Sequence, residues 1–175
     1  QLGSIKLDKQ ETKKMVTSIP RSSVLGFIIG VLPGAGSTIA SFLAYGMERN
    51  FVNDEEKQKF GKGSVNGLSA PETANNAACS GSFVPLLTLG IPGSGTTAVM
   101  LGALLGFGIQ PGPRLYQTNP EIFWSVIMSM YIGMVILLIL NLPLIPYIAR
   151  VLATPRTFLI PLILFFSVTG IYLMS

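Results

Sequence analysis

Two octapeptides carry the residues that could do chemistry in this chain: Val31 to Thr38, VLPGAGST, and Gly90 to Thr97, GIPGSGTT. Each follows an apolar run and supplies Pro, Gly, a small residue, Gly and then two hydroxyl residues. Proline removes a backbone donor, and glycine takes φ/ψ values that other residues avoid. Ser37 with Thr38, and Thr96 with Thr97, are placed to cap a new helix after each interruption. A helix broken in this way frees carbonyls that can replace a cation's hydration shell. It also aims N–H groups and the positive end of a helix dipole at an anion. The expected chemistry is the holding of a small charged solute. Gly34, Gly36, Ser37 and Thr38 would act from one motif and Gly93, Ser94, Gly95, Thr96 and Thr97 from the other, with Pro33, Pro92 and Gly90 as the breaks. The plainer reading is that small residues let helices pack closely and that Ser and Thr bond neighbouring helices. Recurrence of the same motif favours a site.

Asn75 and Asn76 lie between the two motifs. Each amide can coordinate Na⁺ through its carbonyl, donate to a carboxylate, or simply join two helices. With Thr88 and Gly93 they outline a Na⁺ site. Glu72 is either a proton or cation carrier or the last residue of a capping box, Ser69 to Glu72, that opens a helix; the capping role is favoured. Tyr45 reads as an interfacial anchor. No Lys or Arg lies in either apolar window, so a carboxylate would be bound by helix ends, hydroxyls and amides.

Other chemistries are excluded or weak. The chain has no histidine, which removes the usual zinc clusters and a Ser-His-Asp triad. The apolar windows hold no paired acids, so an enzyme is not expected, and no cofactor is called for. Gly30 to Gly36 lacks the lysine of a phosphate-binding loop, and neither motif has the GxGxxG spacing of a dinucleotide fold. Cys79 is alone, so no internal disulfide can form. Basic residues are interleaved with acids and lack an aromatic platform, which argues against nucleic acid.

The elements that must position these residues are read from charge. Only 11% of residues are charged, and fifteen of the twenty lie in the first 62 positions. Charge-free windows cover 22–47, 73–113, 122–149 and 157–175. A membrane span needs about 20 apolar residues, so an all-α integral membrane chain is expected. Residues 1–21 form a cytoplasmic lead-in. Window 22–47 is either one kinked span or a re-entrant hairpin; basic residues on both flanks favour the hairpin. A polar loop, 48–70, follows. Residues 71–113 form a broken transmembrane helix that carries Arg114 outside. A helix over 120–142 returns inward, 143–156 is interfacial, and 157–175 is a last span. The chain opens without an initiator methionine or signal peptide and stops just after an apolar run, so it reads as a piece of a larger protein.

The runs LGFIIGVLPGAGSTIASFLAYGMER, FGKGSVNGLSAPETANNAA and PLLTLGIPGSGTTAVMLGALLGFGIQPGP resemble the large membrane subunit of the tripartite tricarboxylate transporters (TctA-type). The likeness runs from about Pro20 to Pro113 and more loosely beyond. It implies half of an inverted-repeat secondary transporter in the bacterial inner membrane, multi-pass and surrounded by the lipid bilayer. Such a subunit takes citrate, other tricarboxylates or related organic carboxylates from a periplasmic substrate-binding protein. It works with a small membrane subunit and the remaining half of the large subunit, by symport with Na⁺ or H⁺ as coupling ion. The family's glycine-rich stretches fall on Pro33, Gly34, Gly36, Pro92, Gly93 and Gly95, and its amide run on Asn75 and Asn76. The alternatives are a scaffold or channel subunit without cation coupling, and a membrane-embedded enzyme.

Overall fold

A computed structural model describes residues 8–152 and 155–174. Residues 1–7 of the lead-in, 153 and 154 of the expected interfacial segment, and Ser175 of the last span lie outside the described residues. The described residues are all-α, with no strand among them. They fall into two compact units, 8–128 and 129–174.

In the first unit, helix α1 (Lys9–Val31) opens on a capping box. Asp8 caps it, and the Glu11 side chain accepts from the Asp8 N–H. Its buried positions are Ser18, Ser22, Gly26 and Gly30, four residues apart and all small. Helix α4 (Val65–Gly81) buries a matching row, Asn66, Ala70, Ala74 and Ala78. The two rows lie side by side and run parallel: Ser18 bonds Ser69, Gly26 meets Ala74 and Gly30 meets Ala78. A Cβ added at Gly26 or Gly30 would stand 2.6 Å from the Cα of Ala74 or Ala78. Backbone packs directly on backbone here, the contact that small-xxx-small spacing permits.

Helix α2 (Gly36–Phe51) turns back along both. Its Ala40 and Ala44 pack against Ala74 and Ala78, with Leu25 and Ile29 alongside. The PGAG motif is therefore the turn of a helical hairpin, whose far ends are tied by Arg21 and Glu48 at 2.8 Å.

The polar end of this bundle is closely bonded. Glu48 is fully buried and accepts from Arg21 Nη2 and from Asn66 Nδ2 at 2.7 Å. Arg21 also lies over the Phe51 ring, 5.0 Å from its centroid. A short helix α3 (Asp54–Lys57) supplies Glu56, which accepts from Lys14 at 2.6 Å and from Ser64 Oγ at 2.7 Å. The hydrogen bond from Lys14 lowers the Glu56 carboxyl below its ordinary value, and the same bond raises Lys14 above its own. Tyr45 packs edge-on against Phe60 at 5.1 Å.

One local expectation is corrected here. α4 starts at Val65, capped by Ser64, which accepts from the Gly67 N–H at 3.0 Å. Ser69 to Glu72 thus form no cap; they lie inside the helix, with Pro71 tolerated there and Glu72 exposed. Gly63, at φ +100°, turns the chain early enough for Ser64 to open the helix one turn sooner.

Beyond α4 come α5 (Phe83–Leu89), α6 (Gly95–Gly106), α7 (Leu115–Thr118) and α8 (Pro120–Leu152). α8 continues past Leu142 and through Pro143 and Pro146. A second core joins Leu87, Leu115 and Val126, with Phe83, Met100, Ile109 and Phe123 around it. The second unit holds the remainder of α8 and α9 (Arg156–Met174). Among the described residues one helix, Pro120–Ile148, is long and apolar enough to cross a membrane: it has 29 residues, and its most apolar 18-residue stretch has a mean hydropathy of 2.4.

Candidate functional site

The GIPGSG motif interrupts the helix as its residues dictate. Gly90 takes φ +72° and closes α5, with its N–H donating to Leu86 O and the Ile91 N–H to Pro85 O. This paired bonding satisfies carbonyls that the helix end would otherwise leave open. A Cβ at Gly90 would lie 2.6 Å from the Pro111 carbonyl oxygen, so the PGP run supports the break from outside. The chain then returns to the bundle. Gly93 is buried against Ser82 and the Gly30 carbonyl, where an added Cβ would meet Ser82 Cβ at 3.2 Å and Gly30 O at 3.5 Å.

That return brings the two motifs together, although about sixty residues separate them. A partly open cavity of about 90 Å³ lies between Gly30 of α1 with Gly36 and Ser37 of the first interruption, and Ser94, Thr96 and Thr97 of the second. Ala78, Cys79, Ser82 and Phe83 complete its wall. A wide cleft of about 620 Å³ opens beside it, lined by Gly34, Gly36, Ser37 and Thr38 and by Pro92, Gly93, Ser94, Gly95 and Thr96. No charged side chain lines either space. Glycine backbone, hydroxyls and the first turns of α2 and α6 face them, beside apolar groups of Ala78, Phe83, Pro92 and Ala98.

The two helix starts differ. Ser94 caps α6: its Oγ accepts from the Thr97 N–H at 3.3 Å, and Thr97 Oγ1 accepts from the Ser94 N–H at 2.8 Å. Thr97 is fully buried, so it holds the break's shape from within. α2 starts at Gly36 after Ala35, with no side-chain cap. The expected caps therefore shift: Ser94 takes the role foreseen for Thr96 and Thr97, while Ser37 and Thr38 sit in the first turn of α2 rather than before it. Gly34 and Gly36, at φ +83° and +69°, bend the chain so sharply that α2 begins before a capping residue can be placed. A helix start carries the equivalent of about half a positive charge, and its first N–H groups lack intrahelical partners. Two such starts lining one cleft make a site suited to an anion.

Three of the expected polar residues lie elsewhere. Asn75 Nδ2 donates to Ser41 Oγ at 3.3 Å, within the α2–α4 contact. Asn76 Nδ2 donates to the Glu72 carbonyl at 3.0 Å, and Thr88 Oγ1 to the Val84 carbonyl at 2.6 Å. None of the three lines either space, whereas Gly93 does. Pro33 stands exposed in the hairpin turn. Among the described residues no group of three His, Cys, Asp or Glu side chains could hold a metal ion. Two features go beyond the sequence reading: the wall formed by Ala78, Cys79, Ser82 and Phe83, and the cluster of half-exposed Arg21 with buried Glu48 and Asn66. The four-residue spacing of small side chains from Ser18 to Gly30 and from Ala70 to Ala78 was the available signal for the bundle behind them.

The described residues are thus all-helical, with two interruptions lining one cleft that has no charged side chain. The model of the tripartite tricarboxylate transporter TctA family matches residues 1–175, and the chain belongs to that family. It is 43% identical over 166 residues to an Agrobacterium vitis protein described as an uncharacterized 52.8 kDa protein in the TAR-I ttuC′ 3′ region. It is 45% identical over 147 residues to an uncharacterized protein in the TAR-II ttuC′ 3′ region of the same organism. These matches cover 95% and 84% of this chain but only 33% and 60% of the relatives, so the chain spans about a third to three fifths of their length. No solved structure matches the chain.

Proposed function

We propose that the chain is part of the large permease subunit of a binding-protein-dependent tripartite system. In this reading it carries tricarboxylates or related organic carboxylates through the bacterial inner membrane by symport with Na⁺ or H⁺. The observation that carries it is the convergence of VLPGAGST and GIPGSGTT on one cleft. The substrate carboxylate is held by the starts of α2 and α6, through Gly34, Gly36, Ser37 and Thr38 and through Gly93, Ser94, Gly95 and Thr96. Ser94 and Thr97 shape the second break, and Pro33, Pro92 and Gly90 keep both chains non-helical where the substrate sits. For the cation, carbonyls of the non-helical backbone at the breaks are the candidate ligands, since Asn75, Asn76 and Thr88 are bonded within the bundle and α5.

The α1–α2 hairpin is taken as re-entrant, with its bonded polar end at the cytoplasmic boundary. From Arg21 to Val31 is ten residues and from Gly36 to Glu48 twelve, or about 15 and 18 Å of helix. Half of a hydrocarbon core about 30 Å thick is close to that, so the cleft falls near mid-membrane. Non-helical backbone is tolerated at such depth only where it is covered by protein or lines a cavity. The remaining part of the large subunit completes the far wall as the other half of an inverted repeat, and alternating access moves one half against the other. The periplasmic binding protein and the small membrane subunit are the expected partners.

Counterflow of a labelled tricarboxylate in proteoliposomes of the complete permease, with and without a Na⁺ or H⁺ gradient, tests this reading. Gradient-dependent accumulation is expected. Flux that only equilibrates, with no response to either cation, would identify a channel instead.

A further inference from the structure

The approach to α8 carries an aromatic group that the transport reading leaves unused. Tyr116, Phe123 and Trp124 form a closed triangle of edge-to-face rings, with centroids 5.6, 6.3 and 5.5 Å apart. One corner is held by the protein, since Phe123 packs on the Leu87–Leu115–Val126 core. The other two face outward, with Tyr116 55% and Trp124 52% exposed. Polar residues surround the group in sequence: Arg114, Gln117, Thr118, Asn119 and Glu121. Directly beyond it, α8 becomes apolar on all sides, and only 6% of its most apolar stretch is buried.

A purely lipid-facing surface needs only aliphatic side chains, and a water-facing one has no use for two half-exposed rings. Tyr and Trp combine an apolar body with a polar edge, which suits the zone where acyl chains meet headgroups. Edge-to-face packing against Phe123 fixes both rings in place. We propose that Tyr116, Phe123 and Trp124 are a lipid-interface anchor, seated at the headgroup boundary on the side opposite the Arg21–Glu48 end.

The anchor also sets the depth of the second break. Phe123 shares its core with Leu87, three residues before Gly90. α5 has seven residues, about 10 Å, and leads from Ser82 at the cavity wall to Gly90 beneath Pro111. One short helix thus connects the anchor's core to the cleft. This inference rests on the membrane placement proposed above.

Trp124 is the chain's single tryptophan, so its own fluorescence reports the anchor. The 175-residue chain would be reconstituted in vesicles whose lipids carry quenchers at the headgroup end, the middle or the terminus of the acyl chain. Helical circular dichroism would confirm folding. Emission from Trp124 is expected to be lost most with the headgroup-end quencher. The pair W124F/Y116W should show the same shallow profile. The pair W124F/I39W, reporting an exposed position on the cleft end of α2, should be quenched most by the chain-terminal label. A deep profile for Trp124, or a Trp124 untouched by lipid quenchers while position 39 responds, overturns the anchor alone. If all three positions ignore lipid quenchers and respond to aqueous iodide, the membrane placement itself fails.

Discussion

At one end of the α1–α2–α4 bundle both buried carboxylates have cationic partners: Glu48 with Arg21, and Glu56 with Lys14. Asn66 and Ser64 complete the bonding. At the other end no charged side chain lines the cleft, and glycine backbone, hydroxyls and two helix starts face it. The bonded end fixes three helices and a loop in register. The cleft end is built from residues that add almost no side chain and so keep backbone groups available. Charge within this bundle serves as scaffolding, and the cleft surface is made without it. Substitutions at the two ends should therefore separate stability from transport.

The largest effect is expected between the ends, where the bundle is tightest. Gly26→Leu would drive a side chain into the Ala74 backbone, which cannot yield as a flexible side chain would. Loss of folded, monodisperse protein on size exclusion is expected, against a cost of about 1–3 kcal/mol for ordinary overpacking. At the polar end, Glu48→Leu strands the Arg21 guanidinium and the Asn66 amide. The cost should be about 2–3 kcal/mol, below that for a fully buried pair because the Arg21 side chain is 37% exposed and water screens it. Thermal unfolding in detergent would measure it, and Arg21→Met combined with Glu48→Met should recover much of the loss. Transport by the folded fraction should change little.

At the cleft end the pattern reverses. Thr96→Val removes a hydroxyl at the start of α6 and should weaken substrate binding about tenfold or more, as loss of a hydrogen bond to a charged group does. Its melting temperature should stay at the parent value, and counterflow kinetics check the binding. Thr97→Val breaks the Ser94 capping box and should lower stability by about 1 kcal/mol. The smallest effect concerns pH. Because the Glu56 carboxyl is lowered in the folded state, its stabilising contribution is present above its ordinary value of 4.5. It is lost as pH falls through the lowered folded value. Glu56→Gln should remove that acid-side dependence in unfolding curves taken from neutral pH downward.

Much of this arrangement was legible in the sequence because proline and glycine act locally. PGAG and PGSG announce interruptions wherever they fall in apolar sequence, and the structure places both where the residues put them. The caps were less legible: whether Ser94 or Thr96 opens a helix depends on one residue's φ/ψ, and Ser64 outcompeted Ser69 because Gly63 had already turned the chain. Asn75 and Asn76 looked like ligands by type, yet their direction on α4 depends on helix phase against α2. The Arg21–Glu48–Asn66 cluster was hidden for a different reason. Its members come from three helices, and only the packing of α4 on the α1–α2 hairpin brings positions 21, 48 and 66 together.

The central claim is that two interruptions, about sixty residues apart, hold one substrate. Single cysteines placed at Ser37 and at Thr96 in a Cys79→Ala background of the complete permease would be labelled with a water-soluble thiol reagent at rising carboxylate concentrations. Both positions are expected to be protected, with the same half-protecting concentration. Protection of only one position, or of the two at clearly different concentrations, would contradict a shared site.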